Sequence, residues 1–329
     1  MAGFFGFFDY AKPGKGIDPN EPRKHPFFKF WELVGRKFGM LVTLNIIYFI
    51  AIIPIITYVY LAAFDYFLAS VPEGTEPFLT PLMQGLFSLL SVMPQWLFYA
   101  LLAVSVLIYG PLTAGLTYML RNFAREEHVW MSDIFDRTKK NFKQGLALGV
   151  IDAGALFLVF SNLSIASSAD AQGLAGGMMN VASVVTVVLF IIYIFMRHYT
   201  YQLAVTFEIG IFAILRNSLI FAIAGLWRNI FVAIVIICMA LVILMIPIAE
   251  VILLPIIAFS FWGFLSVFTC YPVVKRYMLD PIIKEQEEEA LKLEAEKHRG
   301  DKWEGDEWRG GRFEDGKWVS YNKDDEGKK

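Results

Sequence analysis

All 29 lysines and arginines of this 329-residue chain lie in, or at the margins of, alternate connections between long apolar runs. The intervening connections carry no base. A single water-soluble core cannot accommodate that pattern without folding whole basic segments back through it, whereas a bilayer satisfies both halves at once. A membrane-spanning helix needs about 20 mostly apolar residues. With 57% hydrophobic residues the sequence supplies six such runs, at 38–63, 94–120, 145–165, 178–200, 229–249 and 251–274. The connections 70–81, 164–177 and 247–255 hold only acids: Glu73 and Glu76, then Asp170, then Glu250. The bases occupy 12–37, 121–143, 197–228 and everything from Lys275 onward. Because bases near span ends are retained on the cytoplasmic side, the pattern predicts an all-α polytopic protein with six spans. Both termini are expected in the cytoplasm.

Two further apolar stretches fit a span poorly. Residues 82–92 end just before Pro94 and read as an interfacial helix or the outer end of a long span. Residues 209–227 contain Arg216 and Asn217, with Glu208 and Arg228 at the flanks. A charge at the bilayer centre costs on the order of 3 kcal/mol, so Arg216 belongs near the inner surface and the stretch reads as an interfacial or half-inserted helix.

Three regions follow: a basic cytoplasmic segment at 1–37, a six-helix membrane domain at 38–280, and a charged helix with an aromatic tail at 281–329. A basic arm of this kind suits anionic headgroups better than nucleic acid. Cys238 and Cys270 both fall inside spans and read as packing residues without a disulfide. The four histidines, His25, His128, His198 and His298, show no ligand spacing, so no metal site is expected. Gly14-Lys15-Gly16 lacks the spacing of a phosphate loop, and no nucleophile elbow is present. The chain therefore reads as a non-enzyme without a cofactor.

The opening Phe4-Phe5-Gly6-Phe7-Phe8-Asp9-Tyr10, with Glu32 and Arg36-Lys37-Phe38 further on, resembles the start of the YesL family of bacterial membrane proteins, a family of unknown function. A second block is similar to the same family: Gly110-Pro111-Leu112-Thr113-Ala114-Gly115 through Arg121-Asn122-Phe123-Ala124-Arg125, then Asp133 and Lys140-Asn141-Phe142-Lys143-Gln144. The resemblance implies a bacterial cell membrane as the location and a role beside carbohydrate importers or their sensors, with such a protein as a partner. It names no reaction. The chain departs from the family pattern in the roughly 50 residues between its first span and the Gly-Pro block, and in its aromatic tail.

Within the second span, Pro111 has no N–H and its ring clashes with the carbonyl of Leu107, which predicts a kink or restart. Thr113 and Thr117 are expected to bond freed carbonyls, and Gly110, Ala114 and Gly115 to admit a close neighbour. The break serves packing, or it marks a small-solute path through Pro111, Thr113 and Asp152. Asp152 lies roughly 13 Å into the third span, where a carboxylate must be protonated, paired or facing a cavity; Arg197 is a candidate partner. Arg197 and His198 are expected to reach the inner boundary by snorkelling. Asp65 and Glu250 are expected at a solvated outer boundary, and Asn45, Asn162 and Gln95 as links between helices.

On the cytoplasmic side, Val129, Trp130, Ile134 and Phe135 read as one apolar stripe for the membrane or a partner. After Pro281, the pairs Glu288–Lys292 and Lys292–Glu296 support an exposed helix. Beyond it, Asp315-Gly316 is a hairpin turn signal between Phe313 and Trp318. Trp130, Trp303, Trp308, Phe313 and Trp318 are the candidate partner-binding residues, since aromatic anchors dominate many interfaces. The function expected from these features is an accessory or regulatory membrane protein in carbohydrate uptake. The alternative is a small-solute transporter or channel with its path at the second span.

Overall fold

The computed structural model describes residues 25–70, 84, 85, 88, 90, 92–171, 177–300, 311–314 and 317–320. The chain divides into two units, one reaching Thr269 and one starting at Cys270. Six helices among the described residues are long and apolar enough to cross a membrane: Pro26–Val59, Gln95–Ala124, Phe142–Ala166, Met179–Thr206, Leu226–Ile243 and Ile248–Glu294. Each contains most of one run expected from the sequence. The protein is thus an all-α, six-span membrane protein with a small β-hairpin near its end.

Helix α1 (Pro26–Ser70) begins twelve residues before the first apolar run. Pro26 sits at the first helical position, where its missing N–H is an orphan anyway. Phe30, Leu33, Val34, Leu41 and Leu44 then follow at helical spacing and are buried. Phe30 stacks on Phe264, with ring centroids 5.3 Å apart at 18°. This early start exists because the basic segment holds its own inward-facing apolar stripe.

Helix α2 (Gln95–Ala124) runs as one helix through Pro111, so of the kink or restart expected there the restart does not occur. The hydroxyl of Thr113 donates to the carbonyl of Tyr109 at 2.7 Å, and that of Thr117 donates to Thr113 at 2.7 Å. These are bonds to the residue four before, not to the carbonyl of Leu107 that Pro111 leaves open. What the Gly-Pro block does is bring two backbones together. A Cβ on Gly110 would meet Gly149 Cα at 2.8 Å, and one on Gly145 would meet Pro111 Cα at 2.6 Å. Gly145 and Gly149 are four apart on α4 (Phe142–Ala171), so small residues on both helices permit the approach.

Helix α3 (Asp133–Lys140) packs under Gly115, where a Cβ would meet the Ile134 carbonyl at 2.8 Å and the Thr138 side chain. The expected single stripe divides here: Val129 and Ile134 are buried, while Trp130 and Phe135 are exposed. The turn entering α3 points alternate apolar residues in opposite directions.

Helix α5 (Gly177–Thr206) returns alongside α4, and α6 (Ile211–Ala224) is a separate 14-residue helix. At 1.5 Å per residue α6 measures about 21 Å, short of the roughly 30 Å hydrocarbon core. Gly225 alone separates it from α7 (Leu226–Met245). Asn229 closes the corner, accepting from the Tyr199 hydroxyl and donating to the Ala222 carbonyl, both at 2.9 Å.

The expected tight turn at 247–255 is helical. Ile246 is extended (φ −113°, ψ 99°), and α8 (Pro247–Leu253) restarts at a proline, then passes through a π-helical turn (Leu254–Ala258) into α9 (Phe259–Val274). Glu250, expected at a solvated boundary, is fully buried, because α8 packs inward where a loop would have faced water. Asn45 is the link between helices expected for it. Its Nδ2 donates to the carbonyls of Leu254 (2.8 Å) and Pro255 (2.7 Å), and its Oδ1 accepts from Ser260 N–H at 2.9 Å. The irregular turn is thereby satisfied from α1.

In the second unit the helix continues through a π-helical turn (Lys275–Leu279) into α10 (Asp280–Gly300). Strands β1 (Gly311–Glu314) and β2 (Lys317–Ser320) pair antiparallel, with Phe313 opposite Trp318 and Glu314 opposite Lys317. That is the register the Asp315-Gly316 signal predicts. Trp303, Trp308 and the turn residues themselves lie outside the described residues, as do Glu73, Glu76 and most of 82–92.

Candidate functional site

Polar residues collect where α1, α2, α4, α5 and α9 face one another. Asp152 projects from α4 and is 4% exposed. The Nε of Arg197 donates to both its oxygens at 3.3 Å. Tyr193 donates to Oδ1, and Tyr201 donates to Oδ2 at 2.7 Å. Arg197 also donates through Nη2 to the hydroxyl of Tyr109 on α2. Nearby, Tyr48 of α1 shares a 3.0 Å hydrogen bond with Thr113. Since the Thr113 proton is committed to the Tyr109 carbonyl, Tyr48 is the donor.

These groups line a cavity of about 430 Å³ together with Thr117, His198, Gln202, Trp262 and Ser266. Thr113 and Asp152, two of the expected path residues, both face it; Pro111 is buried in the α2–α4 contact and is not part of its lining. Asp152 is ten residues from the start of α4 and Arg197 nine from the end of α5. At 1.5 Å per residue both lie about 14–15 Å from the base-rich ends of their helices. Arg197 does not snorkel to the boundary. Its side chain turns inward to Asp152 and keeps 38% of its surface open.

The pairing is intelligible from elementary electrostatics. An isolated charge this deep is expensive, and a buried pair is tolerable only when further hydrogen bonds satisfy its remaining valences. The two tyrosine hydroxyls on Asp152 and the one on Arg197 supply them. Opposite this charged end, His198 Nδ1 is 2.7 Å from Ser266 Oγ, while His198 Nε2, Gln202 Oε1 and Trp262 Nε1 have no partner. The cavity thus offers a neutral ion pair, several hydroxyls and aromatic walls, a lining suited to hydrogen-bonding a small solute. Among the described residues no cluster of three histidine, cysteine or carboxylate side chains could hold a metal.

The four tyrosines did not emerge from the sequence, although a signal was present. Tyr193, Arg197 and Tyr201 recur every four residues on α5, as Tyr109, Thr113 and Thr117 do on α2. Polar groups at that spacing in an apolar helix share one face. Of the expected partner-binding residues, Trp130 is 69% exposed, with His128 against it at 5.0 Å between ring centroids. Phe313 and Trp318 are backbone partners in the register of the hairpin.

At the base-rich end, Arg121 is buried and ties α2 to the end of α5, donating to the Val205 carbonyl and to Thr206 Oγ1, each at 2.9 Å. Glu126, with φ 61°, clamps α1 from the α2–α3 connection. It meets Arg36 at 2.7 Å and Lys29 at 2.6 Å. Those two cations, Arg36 first, hold its carboxyl below the usual carboxylate range.

A family model of the YesL type, described as "Protein of unknown function, DUF624", matches residues 89–163. The match is under a quarter of the chain, since it covers 75 (163 − 89 + 1) of 329 residues. It takes in α2, α3 and most of α4, including the Gly-Pro block and Asp152, and leaves out Arg197. No curated protein and no solved structure gives a significant match.

Proposed function

We propose that this protein is a multi-pass membrane carrier for a small polar solute that binds between α2, α4 and α5 at Asp152 and Arg197. The observation that carries this reading is an ion pair about a third of the way along α4 and α5 from their base-rich ends, roughly 14–15 Å in, facing a cavity of about 430 Å³. Ionisable residues at such depth mark solute or ion pathways by default, and carriers commonly bind at the midplane. Thr113 and Tyr48 extend the site toward α1. The test is flux in proteoliposomes of the purified protein, over a panel of labelled sugars, polyols, amino acids and monocarboxylates. Wild type is expected to move at least one class, and Thr113→Ala and Asp152→Asn to insert but lose that flux. Full flux in both variants overturns the reading.

We further propose that both termini lie in the cytoplasm, a reading supported by the one-sided bases. Single cysteines at Glu76 and Asp170 in a cysteine-free background are then expected to label from outside cells, and ones at Lys139 and Lys302 are not. External labelling at Lys302 reverses the assignment.

A second reading, an accessory role in carbohydrate uptake with a recruited importer or sensor protein, is favoured by the exposure of Trp130 and Phe135 at the base-rich face. Trp303, Trp308, Phe313 and Trp318 extend that aromatic set into the tail. Trp308→Ala with Trp318→Ala is expected to release a co-purifying partner and leave insertion unchanged. Unchanged co-purification removes the recruitment role.

A further inference from the structure

A second hollow of about 470 Å³ lies along the seam between α4 and α5, more open than the first, with Leu158, Ile165 and Leu189 of its lining exposed. Phe190 and Tyr193 line it and line the Asp152 cavity as well. The two spaces are therefore stacked along the same pair of helices with these rings as their common wall. The spacing supports one continuous track. Asp152, Ala155, Val159 and Asn162 fall on one face of α4, and Thr186, Phe190, Tyr193 and Arg197 fall on one face of α5. Asn162 is ten residues beyond Asp152, about 15 Å further from the base-rich end.

We propose that the seam cavity is a second station of the solute path and that Tyr193 is the gate between the two. The proposal deepens the carrier reading and rests on it. The polar residues of the second station are Ser161, Asn162 and Thr186, and none of the described residues lining it is charged. The Oδ1 of Asn162 is buried without a hydrogen-bond partner. Such a station takes an uncharged solute that donates hydrogen bonds, because a charged one would leave its counter-charge behind at Asp152 and Arg197.

The gate has a latch. Tyr193 closes the wall with its hydroxyl donating to Asp152 Oδ1. A solute hydroxyl or amide N–H arriving at Asp152 competes for that oxygen and takes the place of the Tyr193 hydroxyl as its donor. Tyr193 is then released to rotate, and the two spaces join.

Cysteine accessibility tests this without knowing the solute. In sealed vesicles of the full chain, with Cys238 and Cys270 replaced by serine, a membrane-impermeant cationic methanethiosulfonate is added on the face where Lys139→Cys reacts. Thr117→Cys, in the first cavity, is expected to react, and Asn162→Cys to be protected while Tyr193 is present. Tyr193→Ala raises the Asn162→Cys rate by about tenfold if the closed arrangement dominates about ten to one. Tyr193→Phe, which keeps the ring and removes the latch, raises it less and carries the test if the alanine variant does not accumulate. Asn162→Cys reacting as fast as Thr117→Cys with Tyr193 intact, or staying protected in both Tyr193 variants, overturns the gate while the carrier reading stands. If Thr117→Cys itself does not react, the cavity is not reachable from that face, and the reading and the gate fall together.

Discussion

Arg197 and Asp152, 45 residues apart in sequence, meet with the guanidinium Nε 3.3 Å from each carboxylate oxygen, and this pair joins α5 to α4 inside the membrane domain. The pair is also joined to α2 through Tyr109. Removing one partner leaves the other buried and uncompensated, a loss of about 3–5 kcal/mol for buried pairs. Arg197 keeps a face open to the cavity, so the lower end of that range is expected. Asp152→Asn and Arg197→Gln should each lower the thermal midpoint of detergent-solubilised protein. The double variant should recover most of it, since two neutral amides can still bond. A double variant no more stable than the worse single one would show that the pair is not coupled.

The contact of Gly110 and Pro111 with Gly145 and Gly149 leaves no space for a side chain. Gly145→Leu is therefore expected to cost about 1–3 kcal/mol by overpacking and to reduce folded protein in membranes. Gly115→Leu should do the same through the α2–α3 contact, where Ile134 and Thr138 stand in the way. Gly154→Leu is the control, because a side chain there meets nothing within 4 Å. Equal yields from all three variants would remove the packing role of the block.

The sequence made the spans legible because length and hydropathy alone determine them, and the same charge counting separated α6 from the true spans. Pro111 does not force a restart, because a proline's missing hydrogen bond does not by itself end a helix, and here Pro111 packs against the backbone of Gly145. The actual irregularity, at 246–258, has its compensation in Asn45, more than 200 residues away. No local pattern reveals such a partner. Asp152 and Arg197 were recognisable as charges out of place and as candidate partners of each other. Tyr48, Tyr109, Tyr193 and Tyr201 were not, because tyrosine is common in membrane proteins and only the four-residue recurrence distinguishes these.

Asn45 offers a sharp test of that compensation. Asn45→Ala would remove the three hydrogen bonds to Leu254, Pro255 and Ser260, and a buried group left unsatisfied costs about 1–3 kcal/mol. Asn45→Leu fills the space and loses the same three bonds, so it is expected to be nearly as damaging. Asn45→Gln, which retains both functions on a longer arm, should be intermediate. The readout is the thermal midpoint in detergent together with protease sensitivity near 246–258. A leucine variant as stable as wild type would show that the turn satisfies itself.

The Glu126 clamp predicts a pH dependence with a definite sign. Arg36 and Lys29 hold the folded-state value of Glu126 below its unfolded value, which is about 4.3 for an ordinary glutamate. A group lowered in this way stabilises the folded state at pH above the unfolded value, and the contribution disappears as pH falls through the folded one. All three side chains are 40% exposed or more, so each contact is worth about 0.2–1 kcal/mol. Glu126→Gln should accordingly be less stable than wild type by a small constant amount between pH 6 and pH 8, a range chosen to lie well above about 4.3. The gap should close as pH falls below that value. Raising salt should narrow it at neutral pH as well, because exposed charges are screened. Thermal midpoints of both proteins across a pH series decide the matter: a gap that stays the same down into acid would mean that Glu126 acts through its backbone geometry at φ 61° and not through its charge.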